Sequence, residues 1–161
     1  MVAFFDDLTC PLTQWSAHPF QSIDPVTNRT ETFHTAEHFM MAEKAKIARD
    51  PVKRQAILLN TCPQHAKRIG RTLIFPGQTW KEWETKREDV VFAGNMLKFG
   101  QNNDAANYLK STGDKILVEG SEFDAVWGCG INYQDPKIQN KQNWTGQNKL
   151  GDVLMMVRDF I

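Results

Sequence analysis

The chain has 161 residues, 19 Lys and Arg against 19 Asp and Glu, with 41% hydrophobic and 24% charged residues. That is an ordinary globular composition with enough chain for a core, which excludes a disordered polymer; a pI near 6.9 excludes coating nucleic acid by bulk charge. No apolar run approaches the ~20 residues of a membrane span, the start MVAFFDDL does not read as a signal peptide, and three scattered cysteines fit neither a disulfide framework nor a zinc ribbon, so a cytoplasmic, reducing setting is expected.

In chain order, Val2–Phe5 reads as a short strand followed by a Pro/Thr loop through Phe20. The turn DPVTNRT then separates two extended pieces between Ile23 and Phe33, a hairpin or irregular ribbon. Thr35 is a good N-cap for a helix running to about Arg49, and Pro51 and Pro63 open helices ending near Asn60 and Gly70. Thr72–Phe75 reads as a strand stopped by Pro76-Gly77, and Thr79 caps a long helix from Trp80 to about Phe99. A short helix at Asn103–Lys110, a strand at Lys115–Glu119 and a Gly/Asn/Gln-rich loop at Gly120–Gly146 follow. The last helix, from about Asn148 to Phe160, carries Leu150, Val153, Leu154, Val157 and Ile161 at core-facing spacing. With no repeat and no linker, the order predicts a single helix-dominated α+β domain over residues 1–161.

The neutral total hides an uneven distribution. Residues 1–42 hold Arg29 against Asp6, Asp7, Asp24, Glu31 and Glu37, a balance of −4. Residues 43–71 hold Lys44, Lys46, Arg49, Lys53, Arg54, Lys67, Arg68 and Arg71 against Glu43 and Asp50, a balance of +6. Such a field suits a ligand with phosphate at one end, although a solvated helix face accounts for any single lysine. The two regions meet on the helix from Thr35 to Arg49. At ~100° per residue, Met40, Met41, Ala45, Ile47 and Ala48 share one sector of it, and Glu37 and Lys44 fall in the middle of that sector. They lie about 10 Å apart along the axis. Charges inside an apolar stripe are costly unless paired or facing a polar cavity, so either two structural salt bridges or a shared pocket is expected.

Other patterns compete. His34-Thr35-Ala36-Glu37-His38 matches the H-x-x-E-H zinc signature, but a Thr35 cap leaves His34 outside the helix and off the face of His38, and no third ligand is evident. In Asp124-Ala-Val-Trp127-Gly128-Cys-Gly130 the glycines allow close backbone approach and the tryptophan offers a surface for a base, or else the segment is a turn around a core tryptophan. Trp144 and Asn148 precede the last helix, where Asn148 is either a ligand contact or a cap. Trp80 and Trp83 are expected in the core.

The ordered series Pro11-Leu-Thr-Gln-Trp15, Ala36-Glu-His-Phe39, Lys44-Ala45, Ala66-Lys-Arg-Ile-Gly-Arg71, Lys98-Phe99, Thr112-Gly-Asp114, Leu117-Val-Glu119, Asp124 to Gly130, Gly146-Gln-Asn-Lys-Leu-Gly151, Leu154-Met155 and Arg158 resembles the NADAR or YbiA-like family. The resemblance implies N-glycosidase chemistry on the bond between ribose C1 and a nitrogen, in one branch on phosphorylated ribosylamino-pyrimidines of riboflavin synthesis, in another on ADP-ribosylated guanine in nucleic acid. It places the family's helix glutamate and lysine on Glu37 and Lys44, its acid on Asp124 and its Gly-x-Asn asparagine on Asn148. Gln14 stands where the family usually has an asparagine, and Gln147 where a lysine is common. The site expected is therefore catalytic Glu37, Lys44 and Asp124, with Gln14, Trp15, His38, Arg71 and Gln101 among the substrate contacts. Trp127, Gly128, Trp144 and Asn148 complete that set. No metal or redox cofactor is required. The expected partner is a substrate containing ribose phosphate or ADP-ribose, modified DNA or RNA included and read locally, with no membrane, bound by a monomer. A non-catalytic reader of ADP-ribose or NAD-like ligands is the alternative.

Overall fold

Helix formation follows the local signals closely. A computed structural model of the chain describes residues 1–4 and 8–161. Thr35, in extended backbone, accepts the His38 N–H and opens α1 (Ala36–Ile47). Asp50 caps α2 (Pro51–Leu59) through the Lys53 N–H, and Pro63 occupies the first turn of α3 (Pro63–Arg71). The long α4 (Thr79–Gln101), α5 (Asn103–Ser111) and α6 (Lys149–Phe160) complete the α-helices among the described residues, and two short 3-10 turns, Pro136–Gln139 and Lys141–Asn143, lie in the segment expected as loop. The strands are short: β1 (Val2–Phe4), β2 (Phe20–Ile23), β3 (Thr30–Phe33) and β4 (Leu117–Glu119). Phe5, expected in the first strand, lies outside the described residues.

The layers are organised around α1, which packs on α2, α3 and α4 at once. It is therefore buried over most of its circumference rather than along one stripe. Phe20, Phe33 and Phe39 form an aromatic cluster, with Phe33 and Phe39 edge-on at 5.0 Å, which welds the antiparallel β2–β3 hairpin to α1. Gly94 lets α4 approach closely: a Cβ there would stand 2.6 Å from the Phe39 ring. At the other end of the chain, β1 and β4 pair in parallel, Val2 with Leu117 and Phe4 with Glu119. The apolar stripe of α6 closes the core as expected, with Leu150, Val153, Leu154 and Val157 buried.

Three expectations are corrected. Thr72–Phe75 is not a strand among the described residues; Leu73 alone is buried, Ile74 is 79% exposed, and no strand pairs with the segment. Thr79 is the first residue of α4 rather than its cap, and its hydroxyl donates to the Pro76 carbonyl. Trp83 is a core residue, but Trp80 is 46% exposed and packs edge-on against Phe75.

Candidate functional site

The first turn of α1 places the acid. The Glu37 N–H donates to the Gln14 carbonyl, which ties the loop at residues 11–16 to the helix start, and the Glu37 side chain is 6% exposed. Two turns on, Lys44 projects from the same side. Its Nζ donates to the Gly70 carbonyl at the end of α3 and lies 5.8 Å from the Trp83 ring and 5.9 Å from Phe75. Burial pushes the Lys44 amine below the ordinary lysine range; Glu37 opposes that shift and Arg71 adds to it. The pair is thus electrostatically coupled.

Both side chains line a cavity of about 170 Å³ together with Gln14, Arg71, Asp124 and Trp127. Met40, Met41 and Leu150 supply its apolar wall, and Lys67, Glu119 and Ser121 its remaining polar groups. Asp124 is fixed by its own turn, one carboxylate oxygen accepting from the Val126 and Trp127 N–H groups. Of the residues expected from sequence, Glu37, Lys44, Asp124, Gln14, Arg71 and Trp127 come together here, drawn from α1, α3 and two loops.

The other expected residues lie elsewhere. Trp15 sits beside the cavity, its ring 5.5 Å from the Lys67 ammonium. His38 is buried on another side of α1: its Nδ1 meets the Thr35 hydroxyl at 2.8 Å, and burial, with His34 second, lowers its pKa to about 4. His34 is outside the helix as expected, but its ring packs edge-on against His38 at 5.7 Å, so the two are neighbours after all. Among the described residues no group of three His, Cys, Asp or Glu side chains is placed to hold a metal ion. Gln101 ties the end of α4 to Gln21 by two backbone bonds. Trp144 donates to the Ile138 carbonyl in a small satellite core with Val118 and Cys129.

Gly128 and Asn148 act on the frame of the cavity. A Cβ at Gly128 would stand 2.8 Å from the Asp124 carbonyl, and one at Gly146 2.3 Å from the Gly128 carbonyl, so these glycines admit chain against chain. Asn148, with φ of 55° and 1% exposure, accepts from the Glu119 N–H and donates to the Leu117 carbonyl. It clamps β4 to the start of α6. The acid it holds, Glu119, is 4% exposed and lines the cavity, whereas in the sequence it reads as a strand residue. An acid closing an otherwise apolar strand was the available signal.

The family model for the NADAR domain matches residues 3–161. The chain belongs to the NADAR domain family. N-glycosidase R617 of Acanthamoeba polyphaga mimivirus is 36% identical over 125 residues, covering 78% of this chain and 72% of the relative. Protein irg-1 of Caenorhabditis elegans is 33% identical over 148 residues, covering 90% and 70%. The NMR structure of the Escherichia coli protein YbiA superposes with a TM-score of 0.75 at 28% identity, covering 99% of this chain and 83% of that one. The helix-dominated α+β fold is thus the YbiA fold, and this NADAR chain is an N-glycosidase, a hydrolase acting on N-glycosyl compounds.

Proposed function

We propose that this NADAR protein hydrolyses the bond between ribose C1 and a base or amine nitrogen, with the ribose in the cavity between α1 and the Asp124 turn. The observation that carries the reading is the convergence of Glu37, Lys44 and Asp124 on one small cavity walled by Trp127. Cleavage of an N-glycosidic bond develops positive charge on the ribose ring and negative charge on the departing nitrogen. Glu37 is the carboxylate facing the ring and the proton shuttle. Asp124 orients ribose hydroxyls or serves as the acid for the leaving nitrogen, and Trp127 backs the base.

Lys44 attacks C1 as a neutral amine. The C1–N bond breaks, the leaving nitrogen takes a proton, and the amine is carried through ring opening to a Schiff base that water hydrolyses. A depressed amine pKa supports this role, since the nucleophile must be unprotonated. Gln14 and Arg71 complete the substrate contacts, Arg71 on the phosphate side. The substrates that fit are ADP-ribosylated guanine and phosphorylated ribosylamino-pyrimidines. The reading places the protein in the cytoplasm, consistent with the absence, among the described residues, of any helix long and apolar enough to cross a membrane.

Borohydride reduction during turnover is the test. It should leave a sugar adduct on Lys44, and Glu37→Gln should lower kcat by two orders of magnitude or more. Full activity in Lys44→Ala refutes the covalent route, and full activity in Glu37→Gln refutes the site. Tight ADP-ribose binding with no base released from either substrate class would favour a ligand reader instead.

A further inference from the structure

Among the described residues three carboxylates line the catalytic cavity, those of Glu37, Asp124 and Glu119. Glu37 acts on the Lys44 amine, against the effect of burial, and so belongs to the reactive end. Asp124 has one carboxylate oxygen engaged by two N–H groups of its own turn, from Val126 and Trp127. Glu119 has no part in the steps assigned to the other two, yet it is 4% exposed. A carboxylate buried to that degree is costly, and an uncharged side chain of the same shape is often as stable or more so. What the cavity takes up is therefore the better account of the charge.

The wall that carries Glu119 is firmly held. Glu119 pairs with Phe4 across β1 and β4, its N–H donates to Asn148 Oδ1, and its carbonyl accepts the Cys129 N–H, both bonds at 2.9 Å. Two residues on, Ser121 lines the cavity as well, and its carbonyl accepts the Gly130 N–H at 3.0 Å. This edge thus presents a carboxylate and a hydroxyl from a pinned backbone, on a different element from Glu37 and Lys44. The cavity, about 170 Å³, has room for a sugar rather than for a sugar with its base. An ionised carboxylate only accepts hydrogen bonds, and the vicinal hydroxyls of a ribose are two donors side by side. Acids that accept from a ribose 2′-hydroxyl recur in nucleotide sites on other folds.

We infer that Glu119, with Ser121 beside it, reads the sugar: its carboxylate accepts from the ribose 2′- and 3′-hydroxyls and makes the site selective for ribose over 2-deoxyribose. The inference rests on the glycosidase reading and sharpens it. With the hydroxyls held from β4, Asp124 is left to supply the proton for the departing nitrogen. A hydrogen bond at the 2′-hydroxyl also strengthens as positive charge develops on the ring, so the contact serves kcat as well as KM.

The test uses two inhibitors, 1,4-anhydroribitol 5-phosphate and its 2-deoxy counterpart. They differ in the one hydroxyl, and neither has an anomeric centre for Lys44 to attack. Measured against cleavage of a ribosyl N-glycoside, the wild type should bind the first roughly tenfold more tightly or better, the scale of a charged hydrogen bond. Glu119→Gln should cut that preference to about threefold or less, by weakening the ribitol compound and leaving the 2-deoxy compound little changed. Its urea midpoint should stay level or rise, because the variant removes a buried charge and keeps the shape. Equal inhibition of the wild type by both compounds, or an undiminished preference in Glu119→Gln, overturns the inference while the glycosidase reading stands. Weakening of both compounds in equal proportion overturns it too, since a structural role would have that effect. If no ribosyl N-glycoside is cleaved, the glycosidase reading fails, and calorimetry with the same two compounds judges Glu119 by the same ratio. Binding of neither compound then overturns the inference as well.

Discussion

Lys98 offers the sharpest prediction outside the site. Its side chain is wholly buried on α4, and Nζ donates to the Pro11 and Thr13 carbonyls, each at 2.7 Å. Those carbonyls belong to the loop whose next residue, Gln14, accepts the Glu37 N–H and contributes to the cavity. No carboxylate pairs with the amine among the described residues; the Phe99 ring is 5.0 Å away, and burial lowers the Lys98 pKa to about 7 from 10.5, against a weaker upward pull from Cys10. The folded state thus binds its proton less readily than the unfolded chain does. Stability from this group is present above the unfolded value near 10.5 and is lost progressively as pH falls toward 7. Between pH 9 and pH 7 the loss is roughly 2 kcal/mol, because the unfolded lysine is charged throughout while the folded one is neutral over most of that range. Lys98→Met removes the titration but strips both carbonyls of a donor, at about 1–3 kcal/mol each. Urea denaturation of both proteins at pH 7, 8 and 9 should show the variant clearly less stable at pH 9 and recovering roughly 2 kcal/mol on the wild type by pH 7. The subtraction cancels groups common to both proteins. A stability difference constant to within about 0.5 kcal/mol across that range refutes the reasoning.

Other expectations are simpler. Because burial depresses the Lys44 amine, activity should climb with pH and reach half its maximum below the ordinary lysine range, read from kcat across pH 6–10; a midpoint at the unperturbed value counts against the nucleophile. Asn148→Ala should cost about 2–4 kcal/mol in urea denaturation, since it orphans the Leu117 carbonyl and the Glu119 N–H, both buried, and a cost under 0.5 kcal/mol would show the clamp to be dispensable. Gly94→Ala drives a methyl toward the Phe39 ring and should cost about 1–3 kcal/mol in the same assay, whereas a neutral or stabilising effect would mean that the ring yields freely.

What could be read from sequence follows the range of the forces involved. Caps and prolines act within one turn, so α1, α2 and α3 begin where Thr35, Asp50 and Pro63 place them. Glu37 and Lys44 could be singled out because two charges inside an apolar sector are a local contradiction. Thr72–Phe75 misled because apolar β-formers do not make a strand without a partner edge, and the partner is a tertiary fact. His34 and His38 are neighbours through a bend before α1 that a helical wheel cannot represent. Glu119, Lys67 and Ser121 were missed for a related reason: they reach the cavity only through the β1–β4 pairing, the Asn148 clamp and the packing of α3 on α1. Gly128 reads as a ligand contact in the sequence, and only the folded path of its own loop shows that the Asp124 and Ser121 carbonyls fill the space beside it.

The charge distribution explains how a neutral chain still presents a cationic surface. Asp24 and Glu31, both on the acidic N-terminal side, are held by the basic segment that follows. Lys46 donates to Asp24 at 2.9 Å, and Arg54 grips Glu31 through both nitrogens at 2.8 and 2.6 Å. The Lys46 ammonium, with the Thr27 and Val26 N–H groups, holds the Asp24 carboxyl well below the usual range, and the Glu31 contact raises the Arg54 guanidinium further. Glu43, whose own carboxyl burial pushes up, lies 3.9 Å from Arg54 in the same network. This network joins the β2–β3 hairpin to α1 and α2, so the cations it uses are committed to structure. Lys67, Arg68 and Arg71, on α3, line a cavity of about 330 Å³ beside the catalytic one. The surplus of the 43–71 segment is thus divided: Lys46 on α1 and Arg54 on α2 pair with Asp24 and Glu31, whereas Lys44 and the α3 cations Lys67 and Arg71 line the cavity that holds Glu37. Breaking the hairpin network by Arg54→Ala should therefore lower stability without changing KM, whereas Arg71→Ala should raise KM with little loss of stability. A matching pair of effects in both variants would show that the two groups of cations are not separate.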